Sequence, residues 1–246
     1  MITAQQTADL AKKFQIDIVT ICREYLQLVF LNVLYQKKES DSICFKGGTA
    51  IRLLLNSPRF SEDLDFETIF QKKDIKFLIE DLEKTITQEM PELKIVQLYS
   101  GIHGMRFRIL LNVPFLKFPL VVRLDFTHVN KLNKAVSRLQ TVFPIIVSPL
   151  IYHQPFETVL QEKLQAVVER EKGRDIYDIL YLLQSKVSVE KKRITKNVLD
   201  KINAFPQAKL DSDLRKFLSE QQRKIIPILK EELLKDLNLR IHTKKR

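Results

Sequence analysis

Glycine is scarce in this chain, five in 246 residues, and an all-β architecture built on tight turns needs more. Tryptophan is absent and cysteine occurs twice. Cys22 and Cys44 form no C-x-x-C pair, which excludes a disulfide framework and a cysteine-ligated zinc site, so both are expected as reduced core residues. No apolar run approaches the ~20 residues of a membrane span; residues 51–55 and 119–122 are short and flanked by charge. Residues 1–13 lack the basic start, apolar middle and small-residue cleavage site of a signal peptide, so the chain is expected in the cytoplasm, without membrane contact. His103, His128, His153 and His242 show no ligand spacing, and neither a G-x-S-x-G elbow nor a G-x-x-x-x-G-K-[ST] loop occurs.

What the chain has is positive charge. Forty-one Lys and Arg against 30 Asp and Glu leave a formal net charge of +11. Such a surface concentrates polyanions and binds nucleic acid with strong salt dependence, making nucleic acid the leading class of partner. Part of the charge is clustered at Lys191-Lys192-Arg193, Lys196 and Lys201, and at Lys244-Lys245-Arg246, although short basic runs are also ordinary solvated surface. An apolar fraction of 45% and a charged fraction of 29% fit a helix-rich mixed globular fold of one large or two small domains.

Apolar residues at helical spacing, among them Phe14, Ile18, Ile21, Tyr25, Leu28 and Val29, predict one or two helices over 5–36. A short apolar run at 42–45 ends at Gly47-Gly48, and a helix is expected from Thr49, which can cap it. Residues 56–61 read as a loop around Pro58. Over 62–66 the alternation predicts a strand with Asp63 and Asp65 on one face and Leu64 and Phe66 on the other, and Glu67 is taken to lie off the acidic face. Asp74 reads as the cap of a helix to about Met90. Strands follow over 93–99, 105–111 and 120–129, the last with Arg123, Asp125 and Thr127 opposite Val122, Leu124 and Phe126, and a final extended piece near 143–147. From Pro155 onward everything reads as helix: 157–172, 174–184, 195–204, 211–219 and 221–238.

The chemistry concentrates at two places. Two carboxylates ~5 Å apart repel by ~3 kcal/mol at an effective dielectric near 20, so Asp63 and Asp65 call for a cation, and magnesium accepts one or two carboxylates with water and phosphate oxygens. An isolated D-x-D is also compatible with a solvated edge strand. Here it follows a strand, a Gly47-Gly48-Thr49 turn and a helix, and such a turn exposes backbone amides where the helix dipole favours phosphate. Downstream, Lys163 and Arg170 lie seven residues apart on one helix face, with Arg174 four further on unless Gly173 breaks the helix.

The stretch Phe45-Lys46-Gly47-Gly48-Thr49-Ala50 through Pro58-Arg59-Phe60-Ser61-Glu62-Asp63-Leu64-Asp65-Phe66 resembles the first motif of the AbiE abortive-infection (AbiEii-type) toxins, a branch of the DNA polymerase β-like nucleotidyltransferases. Glu162-Lys163-Leu164, Arg170 and Arg174-Asp175-Ile176-Tyr177-Asp178, about a hundred residues on, resemble that family's helical motif. The resemblance implies an α/β (α+β) fold: a polymerase β-like nucleotidyltransferase domain with a mixed sheet over 1–150, a helical domain over 151–246, and an active site in the cleft between them. It implies a magnesium-dependent enzyme that transfers a nucleoside monophosphate from a nucleoside triphosphate, with Asp63, Asp65 and Asp125 as metal ligands and Asp125 as ligand or base. Lys46, Gly47, Gly48, Thr49, Arg59, Ser61 and Arg174 are then nucleotide-binding residues, Lys163 a cation for the triphosphate, and Asp175 a further site residue. Alternatives remain open: Asp125 as a surface acid beside Arg123 and Thr127, Asp175 as a helix cap or partner of Arg170, Tyr177 and Asp178 as orienting or packing residues. Ser61 is either a modification site that would switch the enzyme off by placing negative charge beside the carboxylates, or a turn residue or phosphate ligand.

The charge favours a long polyanion as acceptor. With the resemblance, this gives an RNA acceptor, the tRNA 3′ end, and a translation-blocking toxin opposed by a cognate antitoxin protein. The rival readings are a nucleotidyltransferase acting on a small molecule or protein, and a catalytically silent RNA- or antitoxin-binding protein of the same fold.

Overall fold

The computed structural model describes residues 2–139, 141–144 and 149–242. Its contacts divide into two compact units, Met1–Asn56 with Phe60–Gln154, and Ser57–Arg59 with Pro155–Arg246.

The first unit opens with α1 (Ala4–Phe14), started by a capping box of Thr3 and Gln6, and α2 (Ile18–Leu34), capped where Asp17 accepts from the Thr20 amide at 2.9 Å. Then follow β1 (Ile43–Lys46), α3 (Gly47–Leu54), β2 (Leu64–Thr68), α4 (Lys72–Thr87), β3 (Leu93–Gly101), β4 (Gly104–Leu111), β5 (Leu120–His128), β6 (Ala135–Arg138) and β7 (Leu150–His153). The seven strands make one mixed sheet in the order β3-β4-β5-β2-β1-β7-β6, parallel at β2–β5 and β1–β7 and antiparallel elsewhere.

Helices α2 and α4 pack on β5 and β3. On the core face Phe45, Phe66 and Phe126 stand in register across β1, β2 and β5, with ring centroids 5.5 and 4.9 Å apart and all three rings buried. A fully buried phenylalanine contributes ~1.5–3 kcal/mol. Slipping β2 by one residue would turn Phe66 outward and Asp65 inward, so this aromatic row fixes the register of the opposite face.

The second unit contains α5 (Phe156–Glu169), α6 (Gly173–Gln184), α7 (Lys196–Ala204), α8 (Gln207–Arg215) and α9 (Leu229–His242). Helix α6 packs on α5, α8 and α9, and α7 on α5 and α9. Gly173 starts α6 because a Cβ there would stand 3.0 Å from Leu210 Cδ1; its amide donates to Asp213 at 2.8 Å. Among the described residues no helix is long and apolar enough to cross a membrane, and Cys22 and Cys44 are free and buried.

Several expectations need correction. Helix α3 begins at Gly47, with Lys46 as N-cap, so Thr49 sits inside the first turn rather than capping it. Gln71, not Asp74, caps α4; Asp74 is the third helical residue and accepts from the Gln71 amide at 3.2 Å. Strands β6 and β7 were not anticipated, and of the extended piece expected over 143–147, residues 145–147 lie outside the described residues, as do Lys244-Lys245-Arg246. Helix α8 starts at Gln207 and α9 ends at His242, against the expected 211–219 and 221–238.

Candidate functional site

In the first unit, β1 delivers Lys46 and the chain turns at Gly47 with φ +78°. A Cβ at Gly47 would lie 2.3 Å from Asp65 Oδ2, so only a residue without a side chain lets that carboxylate rest against the turn. Helix α3 starts with no side-chain cap, and its first amides have no intrahelical partner. The Thr49 hydroxyl is buried and donates to the Asp63 carbonyl, fastening the start of α3 to the approach to β2. Thr49 therefore offers a ligand its amide rather than its hydroxyl.

Asp65 stands directly opposite Asp125, on the parallel strands β2 and β5, whose separation is ~4.8 Å. Lys46 flanks Asp65 on β1 and Arg106 flanks Asp125 on β4. One register step away, just before β2, Asp63 accepts both arms of Arg123 at 2.9 and 2.7 Å. That hydrogen bond, with the charges of Asp63, Asp125 and Glu62, raises the Arg123 pKa against the opposing effect of burial. Arg106 Nε donates to Asp125 Oδ1 at 2.5 Å. Glu67 is not off this face: in β2 the buried residues are Leu64, Phe66 and Thr68, so Asp65 and Glu67 share the other side. Glu67 accepts from Lys46 at 3.0 Å and from Gln154 at 3.2 Å. Ser61 is half-buried, and its carbonyl accepts from Gln27 at 3.1 Å.

Among the described residues no three His, Cys, Asp or Glu side chains close into a metal cage. Magnesium asks for less, one or two carboxylates with the rest from water and phosphate oxygens. Asp65 and Asp125, in register on neighbouring strands, meet that demand and form a like-charged pair that a cation would relieve.

The second unit gathers another set. Arg59 is 2% exposed, and its fork closes on Asp178 at 2.7 and 3.0 Å. The Lys163 ammonium lies between Asp175 at 2.8 Å and Asp178 at 2.7 Å, and Arg170 closes on Asp175 at 2.9 and 3.1 Å. Burial pulls the Lys163 pKa down, but Asp178 and Asp175 outweigh it and the net shift is upward. Burial likewise works against ionised Asp175 and Asp178, and their cationic neighbours outweigh it, holding both below the ordinary carboxylate value. The helix breaks after Glu169, with Arg170 extended at φ −143°, so Lys163, Arg170 and Arg174 do not share one helix. Arg174 lies over the Phe217 ring at 5.2 Å. Asp175 is in the first turn of α6, but its carboxylate serves Lys163 and Arg170.

Four residues here were not singled out in advance for the roles they take: Arg106, Arg123, Glu67 and Asp178. Strand alternation was the available signal for the first three, since Arg123 shares the face of Asp125 and Arg106 precedes the apolar Phe107 of β4. Nothing local announces the pairing of Asp178 with Arg59, 119 residues away.

The fold is shared with solved structures. JHP933 from Helicobacter pylori superposes with a TM-score of 0.58 at 17% identity, covering 92% of this chain and 97% of that one. MenT4, a nucleotidyltransferase toxin from Mycobacterium tuberculosis, gives 0.62 at 14% identity, covering 99% of this chain and 91% of its own. No curated protein matches the sequence significantly. Residues 29–239 match the family described as nucleotidyl transferase AbiEii toxin, type IV TA system. The chain that sets Asp65 against Asp125 beside the Gly47 turn thus belongs to the AbiEii nucleotidyltransferase toxins of type IV toxin–antitoxin systems.

Proposed function

We propose that this protein transfers a nucleoside monophosphate from a nucleoside triphosphate to an RNA acceptor, the 3′ end of tRNA, and thereby blocks translation in the cytoplasm, opposed by a cognate antitoxin protein. The observation that carries this reading is the register of Asp65 and Asp125 against the Gly47 turn. Asp65 and Asp125, with Asp63 one step away, are the residues that would hold magnesium. Bound there, the cation would offset charge on the phosphates. The amides at Gly47, Gly48 and Thr49 receive phosphate oxygens at the positive end of α3, and Lys46, beside Asp65 on β1, contributes positive charge. The Asp125 carboxylate takes the proton of the acceptor hydroxyl as its oxygen bonds to the α-phosphorus. The bond to the β-phosphate oxygen breaks, and pyrophosphate leaves with that electron pair.

In this reading Lys163 acts by fixing Asp175 and Asp178 rather than by touching the triphosphate, because its ammonium is already engaged by both. Arg59 is likewise an internal tie. The net charge of +11 supports RNA over a small acceptor.

The test is to incubate the purified protein with each labelled nucleoside triphosphate, magnesium and total RNA. Label is expected in the tRNA fraction. Label on protein or a small molecule would replace the acceptor, and salt-sensitive RNA binding without any transfer would replace the enzyme by a binding protein.

A further inference from the structure

One register step from Asp125, Arg108 and Arg123 face each other across β4 and β5. Like charges directly opposed on neighbouring strands destabilise the pair. Asp63 takes up the fork of Arg123, but the Nε of Arg108 is buried and meets no acceptor among the described residues. A guanidinium donor left in this way is costly. The Nε itself is closed to solvent, so an anion between the half-buried Arg108 and the exposed Arg123 would meet Arg108 through its terminal nitrogens and offset the two opposed charges. Farther out along the same face, Tyr99 pairs with Arg106 across β3 and β4 and is 55% exposed. Its ring fills the space above Gly101, where a Cβ would stand 1.6 Å from the phenol oxygen. The tyrosine lies along the strand over a residue with no side chain, with much of its surface open to solvent.

We propose that this strip of β3, β4 and β5 is the acceptor track: a phosphodiester of single-stranded RNA seats between Arg108 and Arg123, and a base stacks on Tyr99. The proposal rests on the RNA-acceptor reading above and assigns its binding residues. From Asp125 to Arg123 is ~6.8 Å along the strand, a step of about one nucleotide of backbone. The hydroxyl to be modified therefore comes to Asp125 when the preceding phosphate is held by the arginines. Arginine suits this task because its planar fork matches phosphate oxygens, and an exposed ring stacks on any base.

Anisotropy of a fluorescent single-stranded RNA oligonucleotide with the full chain across a salt series, with KM for RNA and for nucleoside triphosphate, tests the track. Arg108→Gln should weaken RNA binding roughly tenfold and flatten the slope of log K against log salt by ~0.7, while Arg108→Lys keeps the slope. Tyr99→Ala should weaken binding by about tenfold with the slope unchanged. The triphosphate KM should not move in any of the three. Unchanged RNA affinity and slope in Arg108→Gln with normal melting would overturn the proposal, as would a rise confined to the triphosphate KM. Should Arg108→Gln fail to fold, unchanged affinity in Tyr99→Ala overturns it instead. Transfer of label into RNA by the wild type tests the acceptor reading separately. A wild type that binds RNA without transferring label sinks that reading, while the slope still decides the track.

Discussion

Both units contain an aspartate gripped by an arginine fork at nearly the same distances, Arg123 on Asp63 at 2.9 and 2.7 Å and Arg59 on Asp178 at 2.7 and 3.0 Å. They differ in burial. The first pair's side chains are 44% and 23% exposed, the second pair's 2% and 1%. An exposed pair is worth ~0–1 kcal/mol and exchanges readily for another ion. A sealed pair owes its persistence to the cost of leaving either charge alone. The carboxylate face of the first unit is thus built to trade partners with a substrate, and the network of the second unit to keep them.

The largest effect should come from breaking the sealed network. Asp178→Ala leaves Arg59 and Lys163 short of a counter-charge and is expected to cost ~3–5 kcal/mol, read as a lower urea midpoint, whereas Asp63→Ala should cost under ~1 kcal/mol. The network also sets a pH window. Asp175 and Asp178 are depressed when folded, against an unfolded value of ~3.9. Their contribution is present above that value and is lost as pH falls from it through the lower folded values. Lys163 is raised when folded, so its part is full below the unfolded value of ~10.4 and is lost as pH climbs through the higher folded value. Urea midpoints for wild type and Asp178→Asn from pH 7 to 2 should converge below about pH 4; parallel curves would place the network's strength elsewhere.

On the open face the pattern should invert, with activity lost and stability kept. Asp65→Ala is expected to lower transfer on the order of a thousandfold while the melting temperature changes little, since the repulsion between two opposed carboxylates is removed together with the contacts that Asp65 makes. Full activity in this variant would refute the metal assignment. Gly47→Ala comes next. Its Cβ would stand 2.3 Å from Asp65 Oδ2 at a φ that alanine adopts with strain, and displacing a site carboxylate by about 1 Å can cost ~100-fold. Steady-state transfer with a melting curve separates this displacement from the modest backbone cost of ~1 kcal/mol.

Much of this was legible where a local rule and the tertiary structure agree. Alternation over Val122 to Thr127 put Asp125 on the polar face, and the same rule applied to β2 would have placed Glu67 beside Asp65. The four-residue strands β6 and β7 were missed because their pairing is decided at long range: Phe45 of β1 meets His153 of β7 in parallel. Arg59 looked like a phosphate ligand because it neighbours the first motif in sequence, and only the tertiary structure reveals its buried partner. Pro206, the N-cap of α8, was a usable local signal for the helix start.

Arg174 falls between the two classes and should show the smallest effect. Its guanidinium lies 5.2 Å from the Phe217 ring centroid, an arrangement worth ~0.5–1 kcal/mol at a partly exposed site. It also sits in the first turn of α6, where a positive charge opposes the helix dipole by ~0.3–1 kcal/mol. The two oppose each other and Arg174 makes a further contact as a half-buried side chain, so Arg174→Leu, which retains apolar contact with the ring, should change unfolding free energy by ~1 kcal/mol or less. If the residue belongs to the network that holds the second unit, the triphosphate KM stays within about twofold, under half a kcal/mol of binding. A tenfold rise in that KM with unchanged melting would move Arg174 among the charges that trade partners, and would give the second unit a direct part in binding the nucleotide.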